Sequence, residues 1–139
     1  MARKTVSRVA TRADWERRRD DWLAKLRDLM DSIKSWAEQR RWFVDEQEKT
    51  VEEDHIGRYT VPTLFIQAPG GKIHVEPIGC DIIGAEGRVD IESFPSLNRL
   101  LLILVNGEWK IKTDSRIDWP EPWSEQSFVN LVNALTSAA

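Results

Sequence analysis

The amino-acid sequence predicts an α+β fold: one long N-terminal amphipathic helix, an antiparallel meander sheet of five or six strands, and a C-terminal helix. Three observations carry this expectation. No Gly or Pro occurs between Met1 and Ile56, and apolar residues recur there at helical spacing. From Tyr59 the chain changes to short alternating runs punctuated by Pro, Gly and Asn-Gly. A last apolar stripe follows Ser124, a residue type that caps helices.

The first helix is expected over residues 13–41. Its stripe comprises Trp15, Trp22, Leu23, Leu26, Leu29, Met30, Ile33, Trp36 and Ala37, the three-and-four spacing of one helical face. Asp14 or Thr11 can cap its start, and Asp21 and Lys25 stand four apart with opposite charge. Residues 42–52 are compatible with a continued helix or a first strand. A mostly polar edge strand is preferred, because charge on an edge resists unwanted pairing.

The strands follow in order. Tyr59–Ala68 is β-rich, with Pro62 limiting the ladder at that point. Pro69-Gly70-Gly71 turns the chain into Lys72–Ile78. Pro77, Gly79, Gly84 and Gly87 then imply bulges or a bend. Arg88–Phe94 alternates, with Val89 and Ile91 on one face. Leu100–Val105 is apolar on both faces, the pattern of a central strand covered twice; the two helices are expected to supply that cover. Asn106-Gly107 reads as a two-residue type I′ hairpin into Glu108–Thr113. Phe128, Leu131, Val132 and Leu135 mark a helix over about 125–137.

The chain has 139 residues and a formal net charge of −3, one domain's worth of protein. Residues 1–12 read as a basic, flexible leader and residues 13–139 as a single domain. Residues 1–49 hold 13 Lys/Arg against 10 Asp/Glu, whereas residues 50–139 hold 7 against 13, so the charge is split between the halves. A single cysteine, Cys80, excludes an internal disulfide framework. The longest apolar run, Leu100–Val105, is far short of the roughly 18 residues that span a bilayer. A chain with one unpaired Cys and no apolar leader is expected in the reducing cytoplasm, away from the membrane.

No nucleophile elbow, phosphate loop or zinc-protease motif occurs. His74 and Glu76 share a strand face, but two ligands do not complete a metal site, and no cofactor is expected. The expected role is therefore a small non-catalytic protein-interaction module: a subunit, adaptor, chaperone or inhibitor. A helix of about 29 residues spans roughly 43 Å, longer than the roughly 37 Å diameter of a compact chain of this size. Its N-terminal end is thus expected to overhang the sheet and to offer Trp15, Arg19, Trp22 and Leu26 to a different protein or a second copy.

Two alternatives stand beside this. The basic leader with Arg17, Arg18 and Arg19 fits phosphate contacts of a nucleic-acid-associated protein. Glu86, Arg88 and Asp90 are candidates for one polar strand face. Asp90 followed by Glu108-Trp109-Lys110 resembles the fingerprint of metal-dependent nucleases of the PD-(D/E)xK type. That resemblance implies carboxylates holding Mg²⁺ and Lys110 at the phosphate. The chain departs from the pattern because a whole strand, Leu100–Val105, separates the acid from the Glu-x-Lys.

Overall fold

A computed structural model describes residues 9–113 and 122–137. Helix α1 (Arg12–Gln39) leads into six strands, β1 (Phe43–Glu53), β2 (Gly57–Ala68), β3 (Gly71–Gly79), β4 (Gly87–Phe94), β5 (Arg99–Val105) and β6 (Glu108–Thr113), and helix α2 (Glu125–Thr136) closes the chain. The strands form one antiparallel meander in sequence order. The α+β class, the element order and the sheet type agree with the sequence.

Thr11 and Asp14 both cap α1, because they exchange bonds. Thr11 Oγ1 accepts from Asp14 N at 3.1 Å, and Asp14 Oδ2 accepts from Thr11 N at 2.9 Å, a capping box. The helix stops at Arg40 and Arg41. Arg41 takes a left-handed φ of 63°, and the N–H groups of Arg41 and Trp42 return to Glu38 O and Ala37 O, a Schellman end. Residues 42–52 therefore resolve as a turn and the strand β1.

Pro62 marks where the sheet divides. β1 and β2 pair over their whole length, from Phe43↔Gln67 to Glu53↔Gly57. The β2–β3 ladder spans only Leu64 to Ala68. Beyond it the distal half of the β1–β2 hairpin leaves the ladder, and its odd-numbered residues turn toward the end of β3. Lys49 Nζ reaches Glu76 Oε2 at 2.8 Å and Pro77 O at 2.9 Å, and Val51, Tyr59 and Val61 are buried. The glycine-rich stretch supplies a register shift between Pro77 and Gly79. Asn106 and Gly107 both take positive φ, 52° and 76°, as the expected hairpin requires.

The core lies on one face of the sheet. Register aligns Leu64, Val75, Ile91 and Leu100 in one row and Val89, Leu102 and Ile111 in another, and all are buried. Both helices pack on this face. Trp22 of α1 fits over Gly87 and beside Trp109. Phe128 of α2 packs on Trp36 and Trp42. Arg40 Nη1 bridges to Glu125 Oε2 at 2.6 Å, and Leu135 O accepts from Ser96 Oγ and Asn98 Nδ2, so α2 is tied at both ends.

Two expectations need correction here. The helices do not cover β5 on both sides: Leu100, Leu102 and Leu104 are buried beneath them, whereas Leu101, Ile103 and Val105 point to the other face and are half-buried. Nor does α1 present its apolar stripe at an overhanging end. Trp22 and Leu26 are 1% and 0% exposed, because Gly87 lets the sheet approach Trp22 closely and the curled hairpin extends the surface under the helix. Among the described residues, no helix is long and apolar enough to cross a membrane.

Candidate functional site

The face of the sheet opposite the helices holds the most exposed aromatic surface in the described chain. Strand alternation places Phe43, Phe65 and Phe94 there, at 70%, 39% and 37% exposure. Register sets them in two adjacent rows. Phe43, Gln67, Lys72 and Phe94 form the outer row, and Asp45, Phe65, His74 and Glu92 the inner one. Three strand spacings separate Phe43 from Phe94, roughly 14 Å. All of these residues except Glu92 line a shallow groove of about 420 Å³.

His74 is the fixed point of this groove. Its ring stacks on Phe65 with centroids 4.3 Å apart and planes 8° from parallel. Its Nε2 lies 2.8 Å from Thr63 Oγ1, and that hydroxyl donates to Val75 O at 3.0 Å. A hydroxyl has one proton to give, so Nε2 is the donor toward Thr63 and neutral His74 carries its proton there. Burial holds the His74 pKa below the ordinary value, with Lys49 acting in the same direction and Glu76 and Glu92 opposing. The two rings stack on each other, so each has one face already taken and is less open to a nucleic-acid base.

The residues picked out from the sequence fall elsewhere. Trp22 and Leu26 are core residues, and Trp22 Nε1 is buried with no hydrogen-bond partner among the described residues. Trp15 is half-buried, stacked on His55 at 4.6 Å, and His55 Nδ1 lies 3.2 Å from Asp81 Oδ2. Arg19 pairs with Asp20, Arg17 with Asp14 and Arg12 with Glu16. Arg18 donates to Cys80 O and Ala85 O at 2.9 and 2.8 Å. The arginine run on α1 is thus largely committed to acids and carbonyls. Residues 1–8 of the leader lie outside the described residues, as do Trp119 and the rest of 114–121.

The polar strand-face trio is split. Arg88 and Asp90 do pair on β4, at 2.7 and 3.1 Å, and Arg99 lies 3.9 Å from Asp90. Glu86 instead accepts from Asn106 N and Gly107 N, both at 3.0 Å, and so clasps the β5–β6 turn. The nuclease-like set is not assembled either. Glu108 and Lys110 pair with each other on β6. Asp90 is two strands away and four residues along the register, roughly 16 Å from Glu108. His74 and Glu76 are engaged by Thr63 and Lys49. Among the described residues no cluster of His, Cys, Asp or Glu could hold a metal.

Sequence reasoning missed one buried polar cluster. Glu53 ends β1 and accepts from Cys80 N at 3.0 Å, from Asp81 N at 2.8 Å and from the Tyr59 hydroxyl. Cys80 Sγ lies 3.6 Å from the same carboxylate. Burial, reinforced by Glu53, pushes the Cys80 thiol up to about 12 and the Tyr59 hydroxyl higher still. A thiol so protonated is a poor nucleophile. The cluster joins the hairpin tip to β3 and is structural.

Comparison of the chain with protein-family models, with curated proteins and with solved structures gave no match. The functional reading therefore stands on the site alone.

Proposed function

We propose that this protein is a non-catalytic interaction module that binds a protein partner through the helix-free face of its sheet. The observation that carries the reading is the exposed aromatic row of Phe43, Phe65 and Phe94 around the fixed His74. Each large side chain that gains cover contributes about 1.5–3 kcal/mol relative to exposure, and aromatic residues dominate the energetics of protein interfaces. Antiparallel sheets usually make an open face polar. Three phenylalanines on such a face are the kind of patch that marks a binding surface. The adjacent Lys72, Asp45 and Glu92 provide the polar rim such patches carry.

This reading keeps the interaction role expected from the sequence and moves its surface from the Trp-bearing helix to the sheet. The test is affinity capture from native, nuclease-treated lysate with three baits: wild type, Phe65→Ser/Phe94→Ser, and Trp15→Ala, each confirmed folded by circular dichroism. A stoichiometric protein retained by wild type and Trp15→Ala, and lost from the double variant, is the expected result. Retention of that protein by the double variant rejects the sheet face as the binding surface.

A further inference from the structure

We propose that the partner covering this face is a second copy of the same chain, packed sheet against sheet. The proposal rests on the reading of the helix-free face as an interaction surface, and three independent features choose the occupant.

The first is β5. Leu101, Ile103 and Val105 make this strand as apolar on its outer face as on its core face, the pattern of strands covered twice. Both helices lie on the core side, so the described chain supplies cover once. Leu101 and Ile103 stand opposite Asp90 and Arg88 of β4, so this run forms a second apolar strip on the same face as Phe65 and Phe94, with charged residues between the two.

The second is size. Six strands at about 4.8 Å, with roughly seven residues each at about 3.3 Å, give a projected face of roughly 670 Å². Interfaces of standard size bury about 800 Å² of accessible surface per partner. A pleated face has more accessible than projected area, so this single face is large enough for a stable dimer.

The third is charge. Register places Lys49, Lys72, Arg88, Arg99, Lys110 and Lys112 on the outer side, with Asp45, Glu76, Asp90, Glu92 and Glu108. Three local pairs, Lys49–Glu76, Arg88–Asp90 and Lys110–Glu108, offset most of these. Lys72 and Lys112 on one side and Asp45 and Glu92 on the other have no ion-pair partner among the described residues. The face is close to neutral although the chain is acidic, so two copies meet without net repulsion. A two-fold axis sets each patch against itself, and an axis passing between the adjacent rows of Lys72 and of Asp45 and Glu92 brings Lys72 of one copy to the acids of the other.

The experiment is sedimentation equilibrium of the purified full chain over a wide concentration range, with folding followed by circular dichroism. Wild type is expected to approach twice its 16.1 kDa mass. Phe65→Lys is expected to weaken the dimer roughly tenfold or more, as loss of an interface hot spot does. Phe94→Ser, a milder change at an exposed strand end, serves if Phe65→Lys does not fold. Lys72→Glu is expected to weaken association, and the further changes Asp45→Lys/Glu92→Lys to restore it. Wild type that stays monomeric at every concentration overturns the second-copy proposal. A partner lost from Phe65→Ser/Phe94→Ser bait would then leave the broader interaction reading standing. A dimer of unchanged affinity in folded Phe65→Lys or Phe94→Ser also overturns the proposal, because the copies then meet elsewhere. Cover of the face by residues 114–121 would give the monomer outcome.

Discussion

Replacing Gly87 by Ala tests the packing that holds α1 on the sheet. A Cβ at Gly87 would lie closer than 3.0 Å to Trp22 Cζ3 and Cε3 and 3.1 Å from Cη2. Carbon atoms pack at about 3.5–4.0 Å, so the indole must retreat by more than about 1 Å. It has little room, being 1% exposed with Trp109 packed 6.2 Å away. Overpacking of this kind costs about 1–3 kcal/mol. The lower chain entropy of the unfolded Ala variant returns about 0.4–1 kcal/mol at a site that can accept Ala. The net expectation is a loss of about 1.3 kcal/mol. With a urea slope of about 2 kcal/mol/M, the unfolding midpoint falls by about 0.6 M and the slope stays unchanged. Trp22→Phe removes the part of the ring nearest Gly87. Gly87→Ala should therefore cost at least 1 kcal/mol less in a Trp22→Phe background, roughly the coupling expected of touching residues. The assay is urea unfolding followed by far-ultraviolet circular dichroism for the four members of the cycle. An unchanged midpoint for Gly87→Ala, or an equal cost in both backgrounds, would refute the reasoning.

Two further predictions rest on single contacts. Glu86→Ala removes both acceptors from the Asn106-Gly107 turn and should lower stability by about 1–2 kcal/mol, read as a lower melting temperature; Glu86→Gln, which keeps one acceptor oxygen, should lose less. At alkaline pH the unfolded Cys80 thiol gives up its proton from about 9, whereas the folded thiol keeps it to about 12. The unfolded state then binds fewer protons than the native state, so stability is full below about pH 9 and falls as pH rises toward 12. Tyr59, also shifted upward, adds to the same loss. Cys80→Ala should flatten part of the decline in unfolding midpoint with pH, and an unchanged slope would contradict the assignment.

Much of the fold was legible because local chemistry and tertiary demand agree. Asn106-Gly107 turns where positive φ is needed, Pro62 precedes the end of a ladder, and Thr11 with Asp14 caps a helix whose stripe becomes the core. What failed depended on register. Phe43, Phe65 and Phe94 are far apart in sequence, and only the pairing of four strands brings them into adjacent rows. In β2, apolar residues occupy both phases, so alternation did not single out Phe65 as outward. The burial of Trp22 hinges on the missing side chain of Gly87, a residue that reads equally well as a bend. Glu53 carries no local sign that its carboxylate will meet the backbone of Cys80 and Asp81. The two-sided apolar run Leu100–Val105 was read correctly as a strand, but the helices cover only one of its faces and leave Leu101, Ile103 and Val105 half-buried on the other.

The central claim is that the face carrying Phe65 touches another protein. It is tested most directly by photo-crosslinking, with a benzoylphenylalanine placed at position 65 in one protein and at position 83 in another. Ile83 is fully exposed in the β3–β4 connection, away from the groove. The account predicts an adduct of one discrete mass from position 65, lost when Phe94→Ser is added, and none from position 83. No adduct from position 65, or the same adduct from both positions, would contradict it.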